Sequence, residues 1–241
     1  MRSVLLIIIA FLCRQSFSQD RIRVSDDIEL IKLSENAYIH VTYNETPSFG
    51  RYSSNGLIFI DKGKAFLFDT PVTGSQTDLL CTWIEKNLNV RIEGFVPNHW
   101  HEDCMGGIAY LKNRRIPTYA NQITIDIAKT KNLPQPDYGF SDSLILNKEG
   151  NQVLCIYPGA AHSTDNIIVW IESEKILFAG CMCKSIDTPN LGNTADGDIK
   201  AYPVTIDRVI KRFPYAEIVI PGHGAYGGRE LLFHTLSLSQ K

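Results

Sequence analysis

The chain has 241 residues, 24 basic and 26 acidic side chains, a formal charge of −2 and 44% hydrophobic content, all ordinary for a globular protein. No basic run marks a nucleic-acid footprint or an anionic-lipid contact, which excludes a nucleic-acid partner as the leading reading. No repeat, low-complexity tract or Pro/Ser linker divides the chain, so one domain with a sizeable core is expected.

The first segment reads as a secretory leader. Arg2 precedes an apolar run, Val4 to Leu12, that is shorter than the roughly 20 residues a spanning helix needs, and Ser16 and Ser18 occupy the small-residue positions of a cleavage site. A signal peptide over 1–18 and a single domain over 19–241 are expected, exported to the periplasm or beyond. Cys13 could carry a lipid, but the large Leu12 before it argues for a soluble product without stable membrane association. Beyond the leader five cysteines remain: Cys81, Cys104, Cys155, Cys181 and Cys183. An odd number without a tight framework excludes a disulfide scaffold and leaves at least one thiol free or bound.

Next come alternating segments at 28–33 and 37–43, predicted as strands. Residues 56–61 and 64–69, separated by Lys62 and Gly63, form a hairpin. Residues 75–88 have a Ser75-x-x-Asp78 start and apolar residues at helical spacing. A strand over 92–98 runs into the stretch Pro97 to Gly107. A helix capped by Asn121 covers 121–132. Strands follow at 143–147, 152–157, 166–172 and 175–180, then a helix at 198–213, a strand at 215–220 and a last helix at 227–238. Strands first, then strands and helices mixed, fits two sheets packed face to face with helices outside rather than a regular parallel array.

The chemistry concentrates in Pro97 to Gly107, where His99, His101 and Asp103 sit at alternate positions. In an extended segment these three project to one side; on a helix, positions two apart lie about 200° from each other. By the same alternation Cys104 points away from Asp103 and reads as a small buried hydrophobe rather than a ligand. Gly106 and Gly107 allow the backbone to come close beneath the site. Taken alone the pattern is equally a polar loop with satisfied histidines. Three further loops, each beginning where an apolar strand ends, add His162, Cys181 and His223, and loops on a rigid scaffold are where sites gather. His40 and His234 lie in strand and helix patterns and read as structural. Four histidines, one aspartate and one cysteine exceed one tetrahedral zinc and suit two, each with open positions. Imidazole and thiolate favour zinc over magnesium or calcium.

Five ordered motifs, "HWHEDC", "GAAHSTDNIIVW", "FAGCMCK", "LGNTADGDIKAYP" and "IPGHGAYGG", together resemble class B metallo-β-lactamases. The likeness is to the di-zinc subclass with an Asp-Cys-His second site, especially the Bacteroides-type enzymes. The resemblance implies an α/β (α+β) fold, a four-layer αββα sandwich with the metals at one edge of the sheets. It implies that His99, His101 and His162 bind a first zinc and that Asp103, Cys181 and His223 bind a second, with Asp103 also orienting the nucleophile. Lys184 would pair with the carboxylate of a β-lactam substrate, and otherwise is a surface lysine. Asn193 would polarise the lactam carbonyl, and otherwise is a turn residue. Asp69 would orient a ligand from the next layer out, or simply cap a loop. Residues 43–54 would form a flap with Phe49 as its apolar tip, or an ordinary surface loop.

The activity implied is zinc-dependent hydrolysis of the β-lactam amide of penicillins, cephalosporins and carbapenems, without an acyl-enzyme; nothing in the sequence suggests more than a monomer. The chain has neither Ser-x-x-Lys nor Gly-x-Ser-x-Gly, the local signatures of serine routes. Two other readings compete with this one. Glyoxalase-type thioester hydrolases carry a His after the Asp and a bridging Asp where this chain has Cys181, whereas Cys104 follows here. An exported zinc-binding protein without turnover would not need Lys184 and Asn193.

Overall fold

The computed structural model describes residues 21–47 and 50–241; the expected leader, Cys13 and Phe49 therefore lie outside the described residues. The chain opens with β1 (Arg21–Arg23), β2 (Ile28–Lys32), β3 (Ala37–Thr46), β4 (Gly50–Asp61) and β5 (Lys64–Phe68). The β4–β5 turn is the predicted one: Lys62 and Gly63 both take positive φ, at 49° and 77°, as a two-residue hairpin loop requires. β4 is twice the predicted length, because its first half pairs with β3 as far as Thr46 opposite Gly50. The expected flap is thus the outer half of a long hairpin.

Helix α1 (Gly74–Leu88) starts slightly before its predicted position. Thr73, not Ser75, is the cap, its hydroxyl accepting from Gln76 N. Then follow β6 (Arg91–Val96), two short helices α2 (Glu102–Met105) and α3 (Ile108–Asn113), β7 (Tyr119–Asn121), α4 (Gln122–Thr130) and β8 (Tyr138–Phe140). Asn121 caps α4 as expected, accepting from Ile123 N at 2.9 Å. The short elements escaped the sequence reading because Gly106 and Gly107 interrupt one helical run and three-residue strands carry no period.

The second half contributes β9 (Ser143–Leu146), β10 (Val153–Ile156), β11 (Ile168–Ile171), β12 (Ile176–Gly180), α5 (Tyr202–Arg212), β13 (Ile218–Pro221) and α6 (Glu230–Ser239). α5 begins four residues later than expected, since the Asp198 carboxylate accepts Lys200 N and Ala201 N in a turn ahead of it.

Among the described residues the strands form a six-stranded sheet, β1 to β6 in sequence order, a five-stranded sheet in the order β13-β12-β11-β10-β9, and the parallel pair β7-β8. Alternation along each strand sorts side chains into layers. Phe66 and Phe68 of β5, Leu57 and Phe59 of β4, Val169 and Ile171 of β11 and Ile176 and Phe178 of β12 meet between the sheets. Ala65, Leu67 and Ile58 face outward under Leu80, Ile84, Ile108 and Leu111 of α1 and α3. Leu177, Ala179, Ile168 and Trp170 face outward under Ile206, Val209 and Ile210 of α5 and Leu231 and Leu232 of α6. The result is the expected four-layer αββα sandwich. No described helix is long and apolar enough to cross a membrane.

Candidate metal centre

Four loops meet at one edge of the sandwich, each following the end of a strand: residues 97–103 after β6, 157–166 after β10, 181–184 after β12 and 222–224 after β13. Their backbones are tied to each other. Asn98 O accepts Ile167 N, Asp198 N donates to Ala161 O and Thr164 N donates to Asp196 O. The Asn55 side chain donates to Pro221 O at 2.9 Å and Gly224 O at 2.8 Å, bracketing His223. Each site residue therefore stands on a hydrogen-bonded scaffold rather than on a free loop.

The six expected donors come together as two groups. His99, His101 and His162 have ring centroids 4.4, 5.0 and 5.4 Å apart. In the other group His223 Nε2 lies 3.1 Å from Asp103 Oδ2 and 3.4 Å from Cys181 Sγ, with Sγ 3.8 Å from the carboxylate. Cys181 also falls within 4.8 Å of His99 and His162 donor atoms, so the two groups adjoin.

For His99, His101 and His223, hydrogen bonds on the far side of the ring decide which nitrogen is free. Asn98 Nδ2 is committed to Ile167 O, which turns its Oδ1 toward His99 Nδ1 at 3.2 Å. Asp196 Oδ2 takes His101 Nε2 at 3.0 Å. His99 Nε2 and His101 Nδ1 are left facing each other at 2.8 Å. Both carry lone pairs in these tautomers, an arrangement that calls for a cation between them. His223 repeats the pattern: Nδ1 donates to Ser53 O at 2.7 Å, leaving Nε2 between a carboxylate and a thiol. Oriented imidazoles of this kind are the usual support of metal ligands, and the donor chemistry fits zinc.

The electrostatics agree. Burial, reinforced by the neighbouring imidazoles, holds His99 well below the ordinary range, and burial, then Lys184, lowers His162 to about 3; both are neutral, as ligands must be. The hydrogen bond from Cys104, outweighing burial, lowers the Cys181 thiol to about 6. Burial opposes ionisation of Asp103, but the His223 hydrogen bond and the other imidazoles hold its carboxyl below the usual range. Burial also works against a charged His223, yet Cys181 and Asp103 outweigh it and hold the imidazole well above its ordinary value, so a metal bound there would displace the Nε2 proton.

Two geometric expectations require correction. Asp103 is not on an extended segment: His101 is extended (φ −65°, ψ 158°) and caps α2, whose first turn bears Asp103. The turn swings both Asp103 and Cys104 back toward the histidines. Cys104 Sγ consequently reaches 3.2 Å from His99 Nδ1 and groups with His99 and Asp103, instead of pointing away. α2 can pack this closely because Gly106 lacks a side chain; a Cβ there would sit 2.1 Å from Val72 O.

The remaining candidates are placed as follows. Asp69 is 1% exposed, accepts Asn98 N and has φ 62°. Lys184 is 8% exposed, with Nζ donating to Cys181 O at 2.8 Å. Asn193 is exposed, its Oδ1 accepting Ala195 N at 3.1 Å within its own turn. Cys183, unassigned from sequence, is buried under α6 and accepts from Thr235 Oγ1. Sequence reasoning missed Asp196 and Asn55. Both lie inside or beside quoted motifs, but neither residue type nor spacing distinguishes them from turn residues.

The family model for the Metallo-beta-lactamase superfamily matches residues 49–223. A Metallo-beta-lactamase type 2 of Bacteroides fragilis is 43% identical over 235 residues, covering 98% of this chain and 94% of that protein. One from Pseudomonas aeruginosa is 33% identical over 210 residues, covering 87% and 83%. Among solved structures, VMB-1 superposes with a TM-score of 0.86 at 37% identity, covering 90% of this chain and 98% of that one. DIM-1 metallo-beta-lactamase exposed to ceftazidime superposes with a TM-score of 0.85 at 38% identity, covering 89% and 97%.

Proposed function

The chain belongs to the metallo-β-lactamase superfamily, and from that premise we propose that it hydrolyses the amide bond of β-lactam antibiotics and so confers resistance to them. The observation that carries the reading is the pair of donor groups whose free nitrogens, thiol and carboxylate all face inward. His99, His101 and His162 would hold one zinc, and Asp103, Cys181 and His223 a second. Zinc bound there supplies Lewis acidity and lowers the pKa of water from 15.7 to about 7.

The chain's own residues do the rest. Asp103, kept ionised beside His223, both binds and offers an oxygen that orients a water molecule. Lys184 would pair with the substrate carboxylate; its ammonium is desolvated, which strengthens such a pair. Asn193 would polarise the lactam carbonyl. Phe49 would cover the ring. The substrates would include penicillins, cephalosporins and carbapenems. The protein would act as an exported monomer in the periplasm after loss of residues 1–18, with 19–241 as its single domain.

The test pairs two measurements on purified protein: metal content, and rates on a chromogenic cephalosporin, a penicillin and a carbapenem, before and after a chelator. Two equivalents of zinc and a rate abolished by chelation and restored by zinc are expected. Turnover that survives complete metal removal would refute the reading.

A further inference from the structure

We propose that His40 is a positioning residue of the metal centre, acting through the backbone of Asp69. The inference rests on the zinc reading above and concerns what holds the donors in place.

His40 lies on β3 between Ile39 and Val41, which face the inter-sheet core, so its ring projects to the opposite, helix-covered face. It is 1% exposed, and Nε2 lies 3.1 Å from Asp69 O. Burial lowers its pKa to about 4, so at neutral pH the ring is uncharged and donates through Nε2–H. The neighbouring strand makes room for it. Gly56 is the cross-strand partner of His40, and a Cβ on Gly56 would sit 1.9 Å from His40 Nε2. Glycine inside a strand weakens it and marks a close approach; here the group that approaches is the imidazole.

The recipient is an unusual backbone. Asp69 has φ 62°, a left-handed conformation that a non-glycine residue keeps only where its surroundings over-determine it. From this corner hydrogen bonds fan out to both arms of the site. Asp69 Oδ1 accepts Asn98 N, next to His99. Thr70 N and Oγ1 both donate to Cys104 O, next to Asp103. Thr70 Oγ1 accepts Gly107 N at the end of the α2 turn. A corner that tilts would therefore move donors of both groups together.

Packing alone does not explain the residue. His40 Nδ1 is buried without a hydrogen-bond partner, an unfavourable arrangement that an aliphatic side chain of similar volume would avoid. What the imidazole offers and an aliphatic side chain lacks is the donor aimed at Asp69 O.

The experiment compares His40→Leu, which removes the donor, with His40→Gln, whose amide nitrogen stands near the position of Nε2. Cobalt(II) binding to metal-free protein is followed by the thiolate-to-cobalt absorption of Cys181, alongside kcat, KM and the thermal midpoint of the metal-free form. The leucine variant is expected to bind cobalt about 10-fold more weakly and to lose kcat with little change in KM, and the glutamine variant to recover both. Should His40→Leu not fold, His40→Asn, too short to reach the carbonyl, replaces it with the same expectation. Cobalt affinity and kcat equal to the parent's in the donor-less variant, whatever its thermal midpoint, would overturn the inference and leave the zinc reading intact. A parent protein that binds no cobalt would overturn both.

Discussion

Asp196 Oδ2 lies 3.0 Å from His101 Nε2, while the backbone carbonyl of the same residue accepts Thr164 N, two positions after His162. One residue thus fixes the tautomer of one imidazole and the loop of another. Replacing Asp196 with alanine frees the His101 ring to rotate and to carry its proton on the inward nitrogen. Zinc affinity measured by titration calorimetry is expected to fall about 10- to 100-fold, with kcat/KM falling in step and the thermal midpoint of the metal-free protein nearly unchanged.

Asn55 tethers the loop of His223 through Pro221 O and Gly224 O. Asn55→Ala leaves those carbonyls without their donor, at a cost of about 1–3 kcal/mol of stability. The expected signature is a lower denaturation midpoint together with selective loss of the second zinc equivalent on dialysis. Retention of both equivalents would show that Ser53 O and the backbone bond from Asn55 N to Gly222 O suffice to hold His223.

Lys184 bears a charge that is largely withdrawn from water and tied to Cys181 O. Lys184→Met removes the ammonium and keeps most of the stem. If Lys184 receives the substrate carboxylate, KM for a cephalosporin rises about 10- to 100-fold, the equivalent of a lost charge-assisted hydrogen bond, and kcat changes less. Steady-state kinetics at two ionic strengths measures it, and the parent's KM is expected to be the more salt-sensitive.

Two buried histidines each give the chelated protein a share of stability that depends on pH in a definite direction. Burial lowers His40 from 6.5 to about 4 and, first among its causes, His162 from 6.5 to about 3. Below pH 6.5 the unfolded chain takes up protons that the folded chain refuses, so stability falls as pH falls. The His40 share is present above pH 6.5 and is lost progressively down to about pH 4, amounting to about 3 kcal/mol. Between pH 7 and pH 4 the thermal midpoint of metal-free His40→Gln is expected to fall less than the parent's, by the share His40 contributes.

Much of the architecture is legible in the chain itself. Strands such as Ile176–Gly180 and Val153–Ile156 declare themselves as short apolar runs, and Asn121 and the Lys62-Gly63 pair are local signals with local causes. The six donors are legible as well, because residue type limits which side chains bind zinc and each stands just past the end of a strand. The path of the backbone between them is not. The placement of Asp103 on the first turn of α2, and with it Cys104 beside His99, depends on Gly106 packing against Val72 O, a contact between segments far apart in sequence.

The amino-acid order by itself determined which groups are present and how each strand divides its side chains between two faces, since both follow from covalent spacing and the period of an extended backbone. Only the tertiary structure decided which nitrogen of His101 and of His223 is free, that Asp196 supports a ring from behind, and that His40 reaches Asp69. Those depend on hydrogen bonds such as His40–Asp69, His101–Asp196 and His223–Ser53, 29, 95 and 170 residues apart along the chain, whose partners meet only in the folded chain.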